Sequence, residues 1–85
     1  MSCVYIIQSK ISNKFYTGST REDSPEKRLL AHNAGKTKST KPGRPWVIVY
    51  TEKCSDYSTA RKRELFLKTG VGRQIAKKLV AEQNI

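Results

Sequence analysis

The hydrophobic pattern begins with a short unbroken run, Cys3-Val4-Tyr5-Ile6-Ile7, β-branched and aromatic. It predicts a strand that stops at the polar stretch Gln8 to Lys14. Phe15-Tyr16-Thr17-Gly18 follows as a second strand, near enough to close an antiparallel hairpin through that stretch. Side chains alternate along a strand. An even-length loop centred on Ser12-Asn13 therefore puts odd-numbered Tyr5 and even-numbered Tyr16 on the same face, two phenols lining one wall. Asp23-Ser24-Pro25-Glu26 starts a helix: Ser24 or Asp23 can cap, Pro25 suits the first helical position, and Glu26 sits well in the positive first turn. The helix is expected to run to about Asn33, with Gly35 just past its end and Leu29 and Leu30 as its packing face. Arg28 and His32, four residues apart, project from one side of it.

Residues 36 to 45 carry no apolar side chain and are punctuated by Pro and Gly, which makes them a loop. Trp46-Val47-Ile48-Val49-Tyr50-Thr51 has the strongest β-propensity in the chain, and Cys54 closes it, so the third strand is expected to be the central or the longest one. Trp46 itself reads as a core or edge anchor of that strand. Ser55 to Ser58 supply turn and cap residues for a helix from Thr59 to about Thr69. Gly70-Val71-Gly72 interrupts before a last helix to about Gln83, whose apolar stripe is Val71, Ile75 and Leu79 with Ala76 and Val80. The fold class is α/β (α+β): one domain in the order ββαβαα, a three-stranded antiparallel sheet flanked by three helices.

One position breaks the pattern. Glu64 falls between Ala60 and Leu67 at helical spacing, so a carboxylate stands on the stripe that faces the sheet, where acids rarely lack a partner. Periodicity leaves two readings open. One is an ion pair with Lys68 or Arg61. The other is a ligand for a hard divalent cation, which often takes only one or two protein carboxylates and fills its remaining sites with water and phosphate.

Charge bears on that choice. The 85 residues carry a net charge of +10, and a field of that strength on so small a body attracts polyanions, with nucleic acid foremost. Length excludes a multi-domain enzyme. The two cysteines, Cys3 and Cys54, lie in apolar runs far from other thiols or a histidine pair, which excludes a disulfide scaffold or a zinc module and reads as two reduced, strand-buried thiols. No apolar stretch is long enough to span a membrane, and the N-terminus resembles no leader, so a soluble cytoplasmic protein is expected. For a phosphodiester substrate, the planar fork of Arg28 suits two phosphate oxygens, and His32 suits a base or a phosphate hydrogen bond. Each of these residues also has an ordinary structural reading, and only their combination is informative.

That combination resembles a known family. Val4-Tyr5-Ile6, Tyr16-Thr17-Gly18, Lys27-Arg28-Leu29 with His32-Asn33, and Arg63-Glu64 on a later helix together look like the GIY-YIG nuclease domain, from Cys3 to about Lys78. The likeness is greatest to the small stand-alone members related to the nuclease domain of the excinuclease C subunit. Cys3 replaces the glycine that opens the first triplet, Thr17 replaces the isoleucine of the second, and the family's late polar residue has no clear counterpart. The resemblance implies a metal-dependent endonuclease acting on DNA, with branched, nicked or single-stranded forms as candidate substrates. It implies that Tyr5 and Tyr16 line the site, one assisting activation of water. Arg28 would stabilise the phosphate, His32 would assist proton movement or phosphate binding, and Glu64 would hold a single Mg²⁺ or Mn²⁺. Lys36, Lys38, Lys41 and Arg44 in the basic loop, with Arg61 and Lys62 on the second helix, are the expected phosphate contacts, a salt-sensitive mode with little sequence preference. A basic nucleic-acid-binding module on the same fold, without cleavage, is the rival reading.

Overall fold

The computed structural model describes residues 1–83. The elements follow in the expected order: β1 (Ser2–Ser9), β2 (Phe15–Thr20), α1 (Glu26–Asn33), β3 (Trp46–Cys54), α2 (Tyr57–Leu67) and α3 (Gly70–Gln83), with one 3-10 turn at Lys41–Gly43. The sheet is antiparallel throughout with strand order β2-β1-β3. β3 is the longest strand at nine residues, yet β1 holds the centre. The reason lies in the run Cys3 to Ile7, whose five side chains are all buried and therefore fill both faces of the sheet. Such a strand needs a neighbour on each edge and a layer on each side.

The two layers are distinct. Val4 and Ile6 pack with Cys54, Ala60, Leu67, Ala76 and Val80 under α2 and α3. Tyr5 and Ile7 pack with Trp46, Leu29, Ile48 and Tyr16 on the α1 side. Each buried aliphatic side chain contributes roughly 1.5–3 kcal/mol through the water it sheds. Cys3 and Cys54 are both buried and unbridged, as expected.

The hairpin register pairs Tyr5 with Gly18 and Ile7 with Tyr16. Its turn is thus centred between Ile11 and Ser12, one residue earlier than expected, because the Ser9 hydroxyl gathers the Ile11 and Ser12 amides at 3.1 Å each. Asn13 completes the turn at φ 63°. Tyr5 and Tyr16 still share a face, since a pairing shift of two residues preserves parity.

Several helix boundaries differ from expectation. At α1, Pro25 occupies the capping position and no side chain caps the helix end, although the Ser24 hydroxyl accepts the Glu26 amide at 3.3 Å. Leu30 is exposed, so of the two leucines only Leu29 packs against the core. The α1 C-terminus closes as expected, with Gly35 at φ 78° and the Lys36 amide donating back to the Ala31 carbonyl. α2 begins two residues early because the Asp56 carboxylate caps it, accepting the Thr59 amide at 2.7 Å. Gly70-Val71-Gly72 is the first turn of α3 and does not interrupt it; the Thr69 hydroxyl accepts the Gly72 amide at 3.0 Å. Val71 points to solvent, while Gly72 lies under the end of α2, where a Cβ would stand 1.8 Å from the Phe66 carbonyl oxygen. Among the described residues, no helix is long and apolar enough to cross a membrane.

Candidate active site

His32, on the last turn of α1, is 2% exposed and uses both ring nitrogens. Nδ1 lies 2.8 Å from the Thr40 hydroxyl and Nε2 lies 2.9 Å from the Tyr5 hydroxyl. The Thr40 hydroxyl donates to the Thr37 carbonyl, so its oxygen accepts the Nδ1 proton, and Nε2 is left to accept from the Tyr5 phenol. Thr40 is positioned by Trp46, whose indole Nε1 donates to the Thr40 carbonyl at 2.7 Å. Trp46 is in turn clamped by Asn33, which accepts its amide at 2.7 Å and donates to its carbonyl at 3.1 Å. The basic loop is therefore a strap that seals His32 from below, and Trp46 is a buried anchor as expected.

Burial, and next the Arg28 charge, hold the His32 imidazole below its ordinary range. The folded state thus favours the neutral ring. As pH falls through about 6.5, unfolded chains take up a proton that folded chains refuse, so stability is lost toward acid and is fully present above that pH. His32 is the single histidine, so the slope between pH 7.5 and 5.5 belongs largely to it. The thermal midpoint is expected to fall across that window in the wild type. A His32→Gln variant, less stable throughout, should give a flatter profile; equal slopes would remove His32 as the cause.

Tyr5 reaches His32 because its partner across the hairpin is glycine. A Cβ on Gly18 would fall 2.5 Å from both Cζ and Oη of Tyr5, so the phenol lies directly over that backbone. Burial pushes the Tyr5 phenol up, partly opposed by hydrogen bonding and charge from the Arg28 guanidinium. Tyr16 stands 5.0 Å from the His32 ring, edge to face, and is half-buried. Among the described residues, no side chain hydrogen-bonds the Tyr16 hydroxyl. Tyr5 is closed off and proton-committed, whereas Tyr16 faces outward.

Glu64 is 4% exposed, and the register shows that it reaches the site from the other side of the sheet. Ser19, which pairs with Val4 and so faces α2, donates its hydroxyl to Glu64 Oε1. Arg61 Nη1 meets the same oxygen at 2.9 Å, and Lys68 Nζ meets Oε2 at 2.7 Å. Both ion pairs weighed from periodicity are present. Burial pushes the carboxyl up, but hydrogen bonds from Lys68, Ser19 and Arg61 outweigh it and hold Glu64 below the usual carboxylate range. Lys68 joins the two halves of the site around the free edge of β2, its Nζ lying 5.2 Å from the centroid of the Tyr16 ring.

The donor set suits one hard cation and no more. Glu64 offers carboxylate oxygen and Ser19 a hydroxyl, and among the described residues no group of three His, Cys, Asp or Glu side chains converges. A single ion there would draw its remaining ligands from water and substrate phosphate, and it must compete with Arg61 and Lys68 for the carboxylate.

The remaining expected residues distribute as follows. Arg28 is exposed beside Tyr5 and His32. Lys36, Lys38 and Lys41 are exposed on the strap, while Arg44 is half-buried and donates to the Lys41 carbonyl at 3.0 Å. Lys62 is exposed on α2, and Arg61 is drawn onto Glu64. Ser19 and Thr40 were not anticipated. Ser19 could have been found from strand parity once α2 was assigned a face; Thr40, in a loop without periodicity, left no such signal.

A family model described as the GIY-YIG catalytic domain matches residues 1–78. A UPF0213 protein of Staphylococcus haemolyticus is 44% identical over 81 residues, 94% of each chain. A second UPF0213 protein, from Staphylococcus saprophyticus, is 40% identical over 80 residues, 93% of each chain. No solved structure matches.

Proposed function

This chain belongs to the GIY-YIG family of nuclease domains, and from that premise we propose that it is a divalent-metal-dependent endonuclease that hydrolyses DNA phosphodiester bonds at the edge of β2. The observation that supports this most is Lys68, whose Nζ lies 2.7 Å from the buried Glu64 carboxylate and 5.2 Å from the centroid of the half-exposed Tyr16 ring, with Arg28 beside Tyr5. Tyr16, with its hydroxyl unclaimed, would accept a hydrogen bond from the attacking water. Tyr5 and His32 brace it: their mutual hydrogen bond and the Thr40 contact fix both rings, so His32 acts as a positioning residue. Arg28 neutralises the phosphate, keeping its charge at any working pH. Glu64 with Ser19 would hold the Mg²⁺ or Mn²⁺ ion, which when bound supplies charge neutralisation at the phosphate and its departing oxygen. Arg61 and Lys68, displaced from the carboxylate by such an ion, would then face phosphate.

The test is incubation with supercoiled, nicked and branched DNA in Mg²⁺ or Mn²⁺. Tyr16→Phe and Arg28→Ala are each expected to slow cutting by about 10²-fold or more while DNA binding persists. Wild-type protein that binds these substrates and produces no metal-dependent cuts would leave the non-catalytic binding module as the function.

A further inference from the structure

The described surface has a second feature, which shares Tyr16 and Lys68 with the cleavage site and extends past them. A groove of about 640 Å³ runs between the turn end of the hairpin and α3, lined by Lys14, Phe15, Leu67, Lys68, Arg73 and Lys77 among others. None of its lining residues is acidic. Its walls are cationic, whereas its floor is apolar, with Leu67 and Ala76 beside Phe15, which leaves 39% of its surface exposed. Phe15 alternates with Tyr16 along β2, so the groove opens on the α2/α3 side, across the sheet from the strap that carries Lys36, Lys38 and Lys41.

A ligand that satisfies both parts must carry several negative charges and present flat apolar faces between them. Duplex DNA fails the second condition, because its bases are stacked inside and only backbone meets a convex cationic surface. An unpaired strand meets both, with phosphates on Lys14, Arg73 and Lys77 and a splayed base on the phenyl ring. The groove also has a direction. Lys68 belongs to its lining and is the residue that grips Glu64, so a strand lying in it leads to the carboxylate at β2's edge.

We propose that this groove binds an unpaired segment of DNA flanking the scissile phosphate, with Phe15 as its stacking platform. The proposal rests on the nuclease reading only for what the strand leads to; the binding itself stands apart from cleavage. It makes the preferred substrate one with a single-stranded flank at the cut, such as a gap, a flap or a free strand.

The experiment uses the whole chain and two probes of about 12 nucleotides, an oligothymidylate carrying one 2-aminopurine and a blunt duplex of equal length. Phe15→Ala is expected to weaken the single strand about tenfold and to abolish the 2-aminopurine quench, with duplex binding changed by less than about twofold. Phe15→Leu, which keeps the apolar floor, should lose the quench as well. Arg73→Ala with Lys77→Ala should lower the slope of log affinity against log salt for the single strand by about 1.4, two phosphates' worth. Unchanged thermal midpoints confirm folding in each variant. Equal losses on both probes, or a quench that survives Phe15→Ala, overturn the groove as a single-strand site. Assays of cutting separate the two ideas: a Phe15-dependent quench with no cleavage of any DNA defeats the nuclease reading alone, and cleavage of a flapped or gapped substrate no faster than blunt duplex and indifferent to Phe15→Ala defeats the groove alone.

Discussion

Glu64→Gln is expected to reduce metal-dependent DNA cleavage by about 10³-fold, equivalent to roughly 4 kcal/mol of transition-state stabilisation, while leaving the fold and DNA binding in place. The substitution keeps the shape and one carbonyl acceptor for the Ser19 hydroxyl, but it removes the negative charge that a hard cation needs. It also frees Arg61 and Lys68, whose side chains are 49% and 39% exposed and so return to water at little cost. DNA affinity should hold or rise, since two cations become available and the net charge increases by one. Cleavage and thermal midpoint measured on the same preparation decide the matter. A variant that still cuts within tenfold of the wild type would show that Glu64 is only an ion-pair partner. Lys68→Ala offers the complementary test, because removing a competitor for the carboxylate should tighten Mn²⁺ binding.

Gly18→Ala is expected to cost about 2 kcal/mol of stability and about 10²-fold in cleavage together. The new methyl group would fall 2.5 Å from Cζ and Oη of Tyr5, a fully buried ring that is hydrogen-bonded to His32 and has no free volume to enter. The ring must swing, and the His32 ring against it, with Tyr16 packed edge to face on His32, must follow. For a domain of this length the loss corresponds to a midpoint about 8–16 °C lower. Adding Tyr5→Phe removes one of the two clashing atoms, so the double variant should regain part of the stability but none of the activity. If Gly18→Ala melts and cuts like the wild type, the glycine of the second triplet is not a space-filling requirement of the Tyr5 phenol.

Those two residues illustrate how legible the site was. Glu64 stood out because a helical stripe contained a charge, and the side-chain spacing that revealed it operates within one helix. Tyr5 and Tyr16 were placed on a common face by strand alternation, and that survived a misplaced turn centre because a two-residue change of register does not alter parity. The reason for Gly18 was not legible. It depends on a ring leaning across from another strand. Leu30 and Val71 were assigned to packing faces and proved exposed, because hydrophobicity identifies a stripe without saying how wide a strip the neighbouring layer covers. The ion pair of Glu64 with Arg61, weighed from helical spacing, is present at 2.9 Å, because spacing within one helix sets which side chains can meet.

By itself the sequence determined the elements, their order and the antiparallel hairpin, since all of these follow from local periodicity and capping chemistry. Tertiary structure alone decided that β1 and not β3 is central, that the tyrosines and Glu64 approach β2's edge from opposite faces, and that the basic loop is a strap bonded to His32 through Thr40. The physical reason is the range of the interactions. Periodicity fixes which way a side chain leaves its own element, whereas which elements come to share an edge is settled by burial and hydrogen bonding between residues that the chain keeps far apart.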